Sequence, residues 1–240
     1  MTRAILLAMV AAAISMVGRS PVEAAEKKSS SKTARPTSGQ PANGATGDAT
    51  KDAAPGIGAP AGKKTETAIF AGGCFWCMEF AFEQLVGVVD VESGYCGGTR
   101  DTADYDLVHL GTTAHAEAIR VTYDPEKIKY DDLLKAFFDA HDPTQLNRQG
   151  DDEGRQYRSA IFFANEDQQK QAKAKIDDLN SKHVFKRRIV TKLEPLKEFY
   201  PAEDYHQNFA RRNPLLPYIQ GHAVPKAMNV RTKHPDLIQN

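Results

Sequence analysis

From residue 65 onward the chain switches between two hydrophobic periods. "TAIFAGG" (67–73) is a short apolar run closed by two glycines, which predicts a buried strand. In "FWCMEFAFEQL" (75–85), Phe75, Met78, Phe82 and Leu85 recur at helical spacing, so a helix is predicted to begin just after Cys74. "GVVDVESGYCGG" (87–98) alternates Val89, Val91, Ser93 and Tyr95 before a Gly-Gly break, and "AEAIRVTYD" (116–124) puts Glu117, Ile119, Val121 and Tyr123 on one face; both read as strands. Leu133, Leu134, Phe137 and Phe138 give "YDDLLKAFFDAH" (130–141) an amphipathic helix. A polar, turn-rich stretch (142–156) precedes a strand at 157–164, a polar-faced helix at 166–182 and a further strand at 188–195. Helices and strands mix without strict alternation, and two strands follow the first helix directly. The expected fold class is therefore α+β, a two-layer sandwich with a mixed β-sheet.

The first quarter of the chain has a different character. Arg3 followed by an apolar run from Ala4 to Val17, then small residues at Val22 and Ala24, reads as an export signal over residues 1–24, with the run too short to span a bilayer comfortably. Residues 25–64 lack aromatics and are dense in Ser, Thr, Gly, Ala and Pro, the composition of a flexible linker. The folded part is expected to be one domain over 65–223, with 224–240 as a C-terminal tail. An exported chain is expected to work in the periplasm or outside the cell, without stable membrane insertion after cleavage. With 31 basic and 31 acidic side chains, nothing in the charge invites nucleic acid.

The chemistry concentrates in "GGCFWC". Two of three cysteines and the single tryptophan fall within four residues. A zinc site would want a fourth ligand three residues past Cys96, where Thr99 stands, and Phe-Trp suits a tight metal turn poorly, so no metal is expected. A structural Cys74–Cys77 bridge would close too short a loop to constrain the unfolded chain. A reactive thiol fits better: Gly72 and Gly73 let the backbone approach closely, and a helix N-terminus favours thiolate at Cys74. Phe75 and Trp76 form an apolar cup suited to a small uncharged group such as a methyl on sulfur. Glu117, on an otherwise apolar strand face, is a candidate general acid if buried. Tyr95 and Tyr157 could donate to an oxygen there, or simply pack.

Five segments in order, "GGCFWCME", "SGYCGG", "HAEAIRVTYDP", "HDPTQLNRQGDDEGRQYRSAIF" and "AEDYHQNF", resemble the A-type peptide methionine sulfoxide reductases from Thr67 to His206. The resemblance implies a ferredoxin-like fold, reduction of methionine S-sulfoxide (free or in proteins) and no cofactor. It matches Cys74 to the nucleophile and Phe75 and Trp76 to the methyl pocket. Tyr95, Glu117 and Tyr157 match the groups that hold and protonate the sulfoxide oxygen, and Asp152 the acid of the polar loop. A sulfenic acid on Cys74 would then condense with a second thiol, and an external thioredoxin-like dithiol would reduce the disulfide. Many relatives carry recycling cysteines near the C-terminus; this chain has none after Cys96. Cys77 and Cys96 are thus the candidate resolving thiols, with Cys77 slightly favoured. The rival readings are a thioredoxin-like disulfide oxidoreductase, a zinc-binding module and, more weakly, a cysteine hydrolase.

Overall fold

A computed structural model describes residues 64–239; the expected signal and nearly all of the linker lie outside the described residues. The chain runs β1 (Glu66–Gly72), α1 (Phe75–Phe82), β2 (Val88–Cys96), α2 (Tyr105–His109), β3 (Ala116–Tyr123) and α3 (Tyr130–Ala140). A minimal hairpin of β4 (Arg148–Gln149) and β5 (Asp152–Glu153) follows. After it come β6 (Ser159–Phe163), α4 (Glu166–Ser181), β7 (Lys192–Pro195), β8 (Phe199–Pro201), α5 (Phe209–Arg212), and a π-helical turn (Ile219–Ala223) running into α6 (Val224–Lys233).

Six strands form one mixed sheet in the order β7-β6-β1-β3-β2-β8. Every neighbouring pair is antiparallel except β6 and β7. Period-two alternation divides β3 as expected: Ile119, Val121 and Tyr123 join the main core, while Ala116 and Ala118 join a smaller cluster with Ile69, Ala71, Cys96 and Phe162. Leu196 and Phe199 pack on the smaller cluster, and the Arg120 guanidinium lies 5.0 Å from the Phe199 ring centre. On the main side, α3 contributes Leu133, Leu134, Phe137 and Phe138, with Phe137 stacked on Phe70 at 5.0 Å.

α1 is apolar nearly all round because it is covered on several sides. It packs against β1, β2 and β3, and also against α5, the π-helical turn and α6. Its one buried carboxylate, Glu79, accepts the backbone N–H of Asn208 at 2.9 Å, which ties α1 to the chain entering α5.

Two expectations need correcting. The strand expected from 188 begins at Lys192, because Val190 donates its backbone N–H to Pro143 rather than to a strand neighbour. The segment 224–240 is no loose tail. Pro225 sits in the first turn of α6, directly after the π-helical turn, and Ala227 and Val230 point into the core. Ile238 pairs with Leu85, and Val86 donates to Leu237 O at 2.7 Å. Burying Val230 alone contributes about 1.5–3 kcal/mol, so this segment belongs to the domain.

Candidate active site

Strand β1 ends in Gly72, and Gly73 adopts φ +92°, a conformation that favours glycine. A Cβ there would also come within 2.6 Å of the Gln149 side chain. The bend delivers Cys74 to the N-cap of α1. Cys77 donates its backbone N–H to Cys74 O at 3.1 Å, closing the first turn and bringing the two thiols into hydrogen-bonding contact. Both are buried.

That burial changes the expected electrostatics. Cys74 caps no backbone N–H with its side chain. Burial first, then the hydrogen bond to Cys77 and the charges of Glu117 and Asp152, raise its thiol well above the ordinary range. Cys77 moves the other way: the hydrogen bond from Cys74 lowers it, against burial, with help from the Lys226 cation and the Tyr218 hydroxyl. These directions favour the negative charge of the pair at Cys77 and the proton at Cys74. Burial and the paired thiol thus work against the thiolate that the helix start alone favours at Cys74.

Glu117, on β3, is buried and accepts the backbone N–H of Phe75, the residue after the nucleophile, at 3.0 Å. Burial pushes its carboxyl up to about 8, with the Phe75 N–H opposing and the Asp152 charge adding. At neutral pH it is a carboxylic acid. This is the state a proton donor needs.

Phe75 and Trp76 form the expected aromatic wall, and other rings fix them in place. Trp76 stacks on Phe209 at 3.8 Å, meets Tyr218 edge-on at 6.1 Å, and donates its indole N–H to His206 Nδ1 at 3.1 Å. Accepting that bond puts the proton of a neutral His206 on Nε2. Burial holds this ring neutral, its pKa at about 4. Phe75 lies 5.9 Å from Tyr95 and 5.0 Å from His206.

Tyr95 is wholly buried on the core side of β2 and donates to Glu203 Oε2 at 2.8 Å. Glu203 also accepts the Tyr105 backbone N–H at 3.0 Å. Tyr157, in the short turn before β6, feels the charges of Glu117, Cys74 and Asp152, which with burial raise its phenol far above the usual value. Asp152, on β5, accepts the Tyr218 hydroxyl at 2.7 Å. Cys74, Glu117, Tyr95, Tyr157, Asp152, Phe75, Trp76 and Cys77 thus gather around one spot.

Cys96 does not. Strand alternation turns it to the opposite face of the sheet, into the cluster with Ala116 and Phe162. Its thiol donates to Glu198 O at 3.3 Å, and burial pushes it up to about 12. The glycines around it do not break the parity, so Cys96 has no path to Cys74 without unpairing β2. His115 is fully buried and bonded through Nε2 to Thr99 O at 3.0 Å. Among the described residues no group of three or more His, Cys, Asp or Glu is arranged to hold a metal.

Sequence reasoning left Glu203, His206, Tyr218 and Lys226 without roles. The first two stand inside a matched motif, and a conspicuous Glu-x-x-His spacing was the available signal. Tyr218 and Lys226 lie in a proline-rich stretch with no local pattern, and only the tertiary fold brings them to the thiols.

Two-electron thiol chemistry on a small neutral group, with an oxygen to be protonated, is what these residues can perform together, the work of a sulfur oxidoreductase. Residues 66–237 match the family model for peptide methionine sulfoxide reductase. A peptide methionine sulfoxide reductase MsrA 2 of Synechocystis is 51% identical over 176 residues, covering 73% of this chain and 82% of that one. The MsrA of Deinococcus radiodurans is 50% identical over 182 residues, 76% and 88% of the two chains. The crystal structure of reduced Mxr1 from Saccharomyces cerevisiae covers 68% of this chain and 93% of its own at TM-score 0.60 and 35% identity. Methionine sulfoxide reductase A of Corynebacterium diphtheriae covers 67% and 80% at TM-score 0.58 and 35% identity. The chain belongs to the peptide methionine sulfoxide reductase family. Its activity is that of a peptide-methionine (S)-S-oxide reductase, and it repairs oxidised proteins.

Proposed function

We propose that Cys74 is the nucleophile, Glu117 the proton donor and Cys77 the resolving thiol. The observation that carries this is the bond from Phe75 N–H to Glu117, which fixes a buried protonated carboxyl beside the nucleophile. The substrate methyl rests between Phe75 and Trp76, and Tyr95 and Tyr157 orient the sulfoxide oxygen. Cys74 Sγ attacks the sulfoxide sulfur and passes its proton to the Cys77 thiolate, while Glu117 protonates the sulfoxide oxygen; the S–O bond to the methionine sulfur then breaks as that hydroxyl passes to Cys74 Sγ. Methionine leaves, and Cys74 carries a sulfenic acid. Cys77 then attacks that sulfur; a disulfide forms, the S–O bond breaks and water departs. Asp152 and Tyr218 border the thiols and hold each other in place.

An external dithiol of the thioredoxin-like class reduces the disulfide, since Cys96, the remaining cysteine among the described residues, lies on the opposite face of the sheet. Composition supports export, with residues 1–24 as a signal, 25–64 as a tether and the enzyme working in the periplasm or outside the cell. We also infer a ferredoxin-like core, supported by the succession β1-α1-β2-β3-α3-β6 and the strand order β6-β1-β3-β2.

The test is single-turnover oxidation with a methionine S-sulfoxide peptide, followed by peptide mapping. One methionine per enzyme and a Cys74–Cys77 bridge are expected, and Cys74→Ser should release none. A Cys74–Cys96 bridge, or turnover by the Ser variant, would refute the assignment.

A further inference from the structure

Lys226 makes no hydrogen bond or ion pair with the described residues. Its ammonium lies 3.8 Å from the point a Cβ would occupy on Gly73, so it stands against the backbone that leads into Cys74. It also lines a cleft of about 550 Å³ together with His141, Gln149 and Arg187. The groups that act on the thiol pair come from five elements: Cys74 itself, Glu117 from β3, Asp152 from β5, Tyr218 before the π-helical turn, and Lys226 from α6. Among these Lys226 is the one cation. His141, the nearest other base on this side, is held neutral by burial, its pKa at about 4. An ammonium with no carboxylate partner among the described residues, set against the nucleophile's loop, has its charge free for the thiols.

We propose that Lys226 is a positioning residue for the second half of the reaction, its charge holding Cys77 as the thiolate that closes the disulfide on Cys74. This rests on Cys77 being the resolving thiol. After methionine leaves, Cys77 carries the proton received from Cys74, and Glu117 is a carboxylate. Cys77 returns that proton to Glu117, and its sulfur pair forms the S–S bond to the Cys74 sulfur. The S–O bond breaks, and Glu117 hands the proton to the departing hydroxide, giving water. Cys77 is oxidised and the sulfenic sulfur reduced, so no outside electron is needed. Lys226 touches none of the reacting atoms; it stabilises the thiolate between the two proton moves.

The experiment uses the full chain and N-acetyl-methionine S-sulfoxide in acid-quenched single turnovers from pH 6 to 9, following methionine release and disulfide closure separately. In Lys226→Met, methionine release should slow less than closure, because there the Cys77 thiolate only accepts a proton, whereas in closure it is the nucleophile. Closure should slow about tenfold at pH 7, with its pH midpoint displaced upward by about one unit. The sulfenic acid should become trappable by dimedone, and Lys226→Arg should restore the wild-type profile. An unshifted closure midpoint in Lys226→Met, or equal slowing of both steps that Lys226→Arg does not rescue, overturns the inference. A wild type that forms no Cys74–Cys77 bridge overturns the resolver assignment itself; a wild type that forms it beside an unshifted Lys226→Met overturns only the role of Lys226.

Discussion

Glu117→Gln should separate catalysis from stability. The amide keeps the size of the side chain and an oxygen for the Phe75 N–H, so the 3.0 Å bond and the first turn of α1 survive. What it loses is a transferable proton. With the carboxyl raised to about 8, roughly nine-tenths of the wild type is protonated at pH 7. The substitution thus removes a donor that is almost fully loaded, and kcat should fall by about 10²–10⁴. Stability should move oppositely. A carboxyl whose folded pKa lies above its unfolded value of 4.5 binds protons more tightly when folded, so the fold weakens as pH rises from 4.5 to 8. At pH 7 that penalty is roughly 3 kcal/mol, which the uncharged amide avoids. The variant should therefore resist urea better than wild type at pH 7, and the gap should close toward pH 4.5. Parallel urea titrations across that range, beside steady-state rates with dithiothreitol, measure both. A rate loss of only a few-fold, or a stability gap that does not vary with pH, would refute the buried acid.

The remaining predictions are simpler to read. Cys77→Ser should still release one methionine per enzyme but lose multiple turnover with a thioredoxin-type dithiol; Cys96→Ala should keep full turnover and cost about 1 kcal/mol in urea unfolding, the worth of its bond to Glu198 O. His206→Ala should free the Trp76 indole N–H and lower kcat/KM about tenfold, mainly through KM, as kinetics on a sulfoxide peptide would show. Gly73→Ala should cost about 1–3 kcal/mol by thermal or urea unfolding, because alanine is strained at φ +92° and meets Gln149, and activity should fall with it.

Local signals in the chain reached a definite depth and stopped. The strand carrying Glu117 and the helix starting after Cys74 were legible because each follows one clean period, and the carboxyl's burial could be expected from its place beside Ile119 and Val121. The thiol charge was not legible. A helix N-terminus argues for thiolate at Cys74, but desolvation is a property of everything packed over α1, and that cover comes from strands and helices far apart in the sequence. The same holds for α6, whose prolines and mixed polarity read as coil until the groove against α1 and α3 gives Ala227 and Val230 somewhere to be buried. Cys96 is the reverse case. Simple alternation from Tyr95, which faces the core, turns it to the far face, and β2 pairs without interruption from Asp90 to Cys96.

Placing both thiols on one helical turn carries a mechanical consequence. Residues three apart in a helix have Cβ atoms about 5–6 Å apart and a disulfide draws them to about 3.5–4.5 Å, so closure needs the first turn to relax slightly but no loop to travel. A resolving cysteine on a distant segment would require that segment to swing across the cup and expel the product. Here the cup formed by Phe75, Trp76, His206 and Phe209 can stay assembled while the sulfurs exchange partners beneath it. The cost appears at the next step. With Cys74 at 5% exposure and Cys77 at 0%, an incoming dithiol meets Cys74 by the route the sulfoxide takes, while Cys77 stays covered. The first turn of α1 is held by two bonds to Cys74 O, from Cys77 N–H at 3.1 Å and Met78 N–H at 3.3 Å. Drawing the side chains together into a bridge pulls on the bond from Cys77.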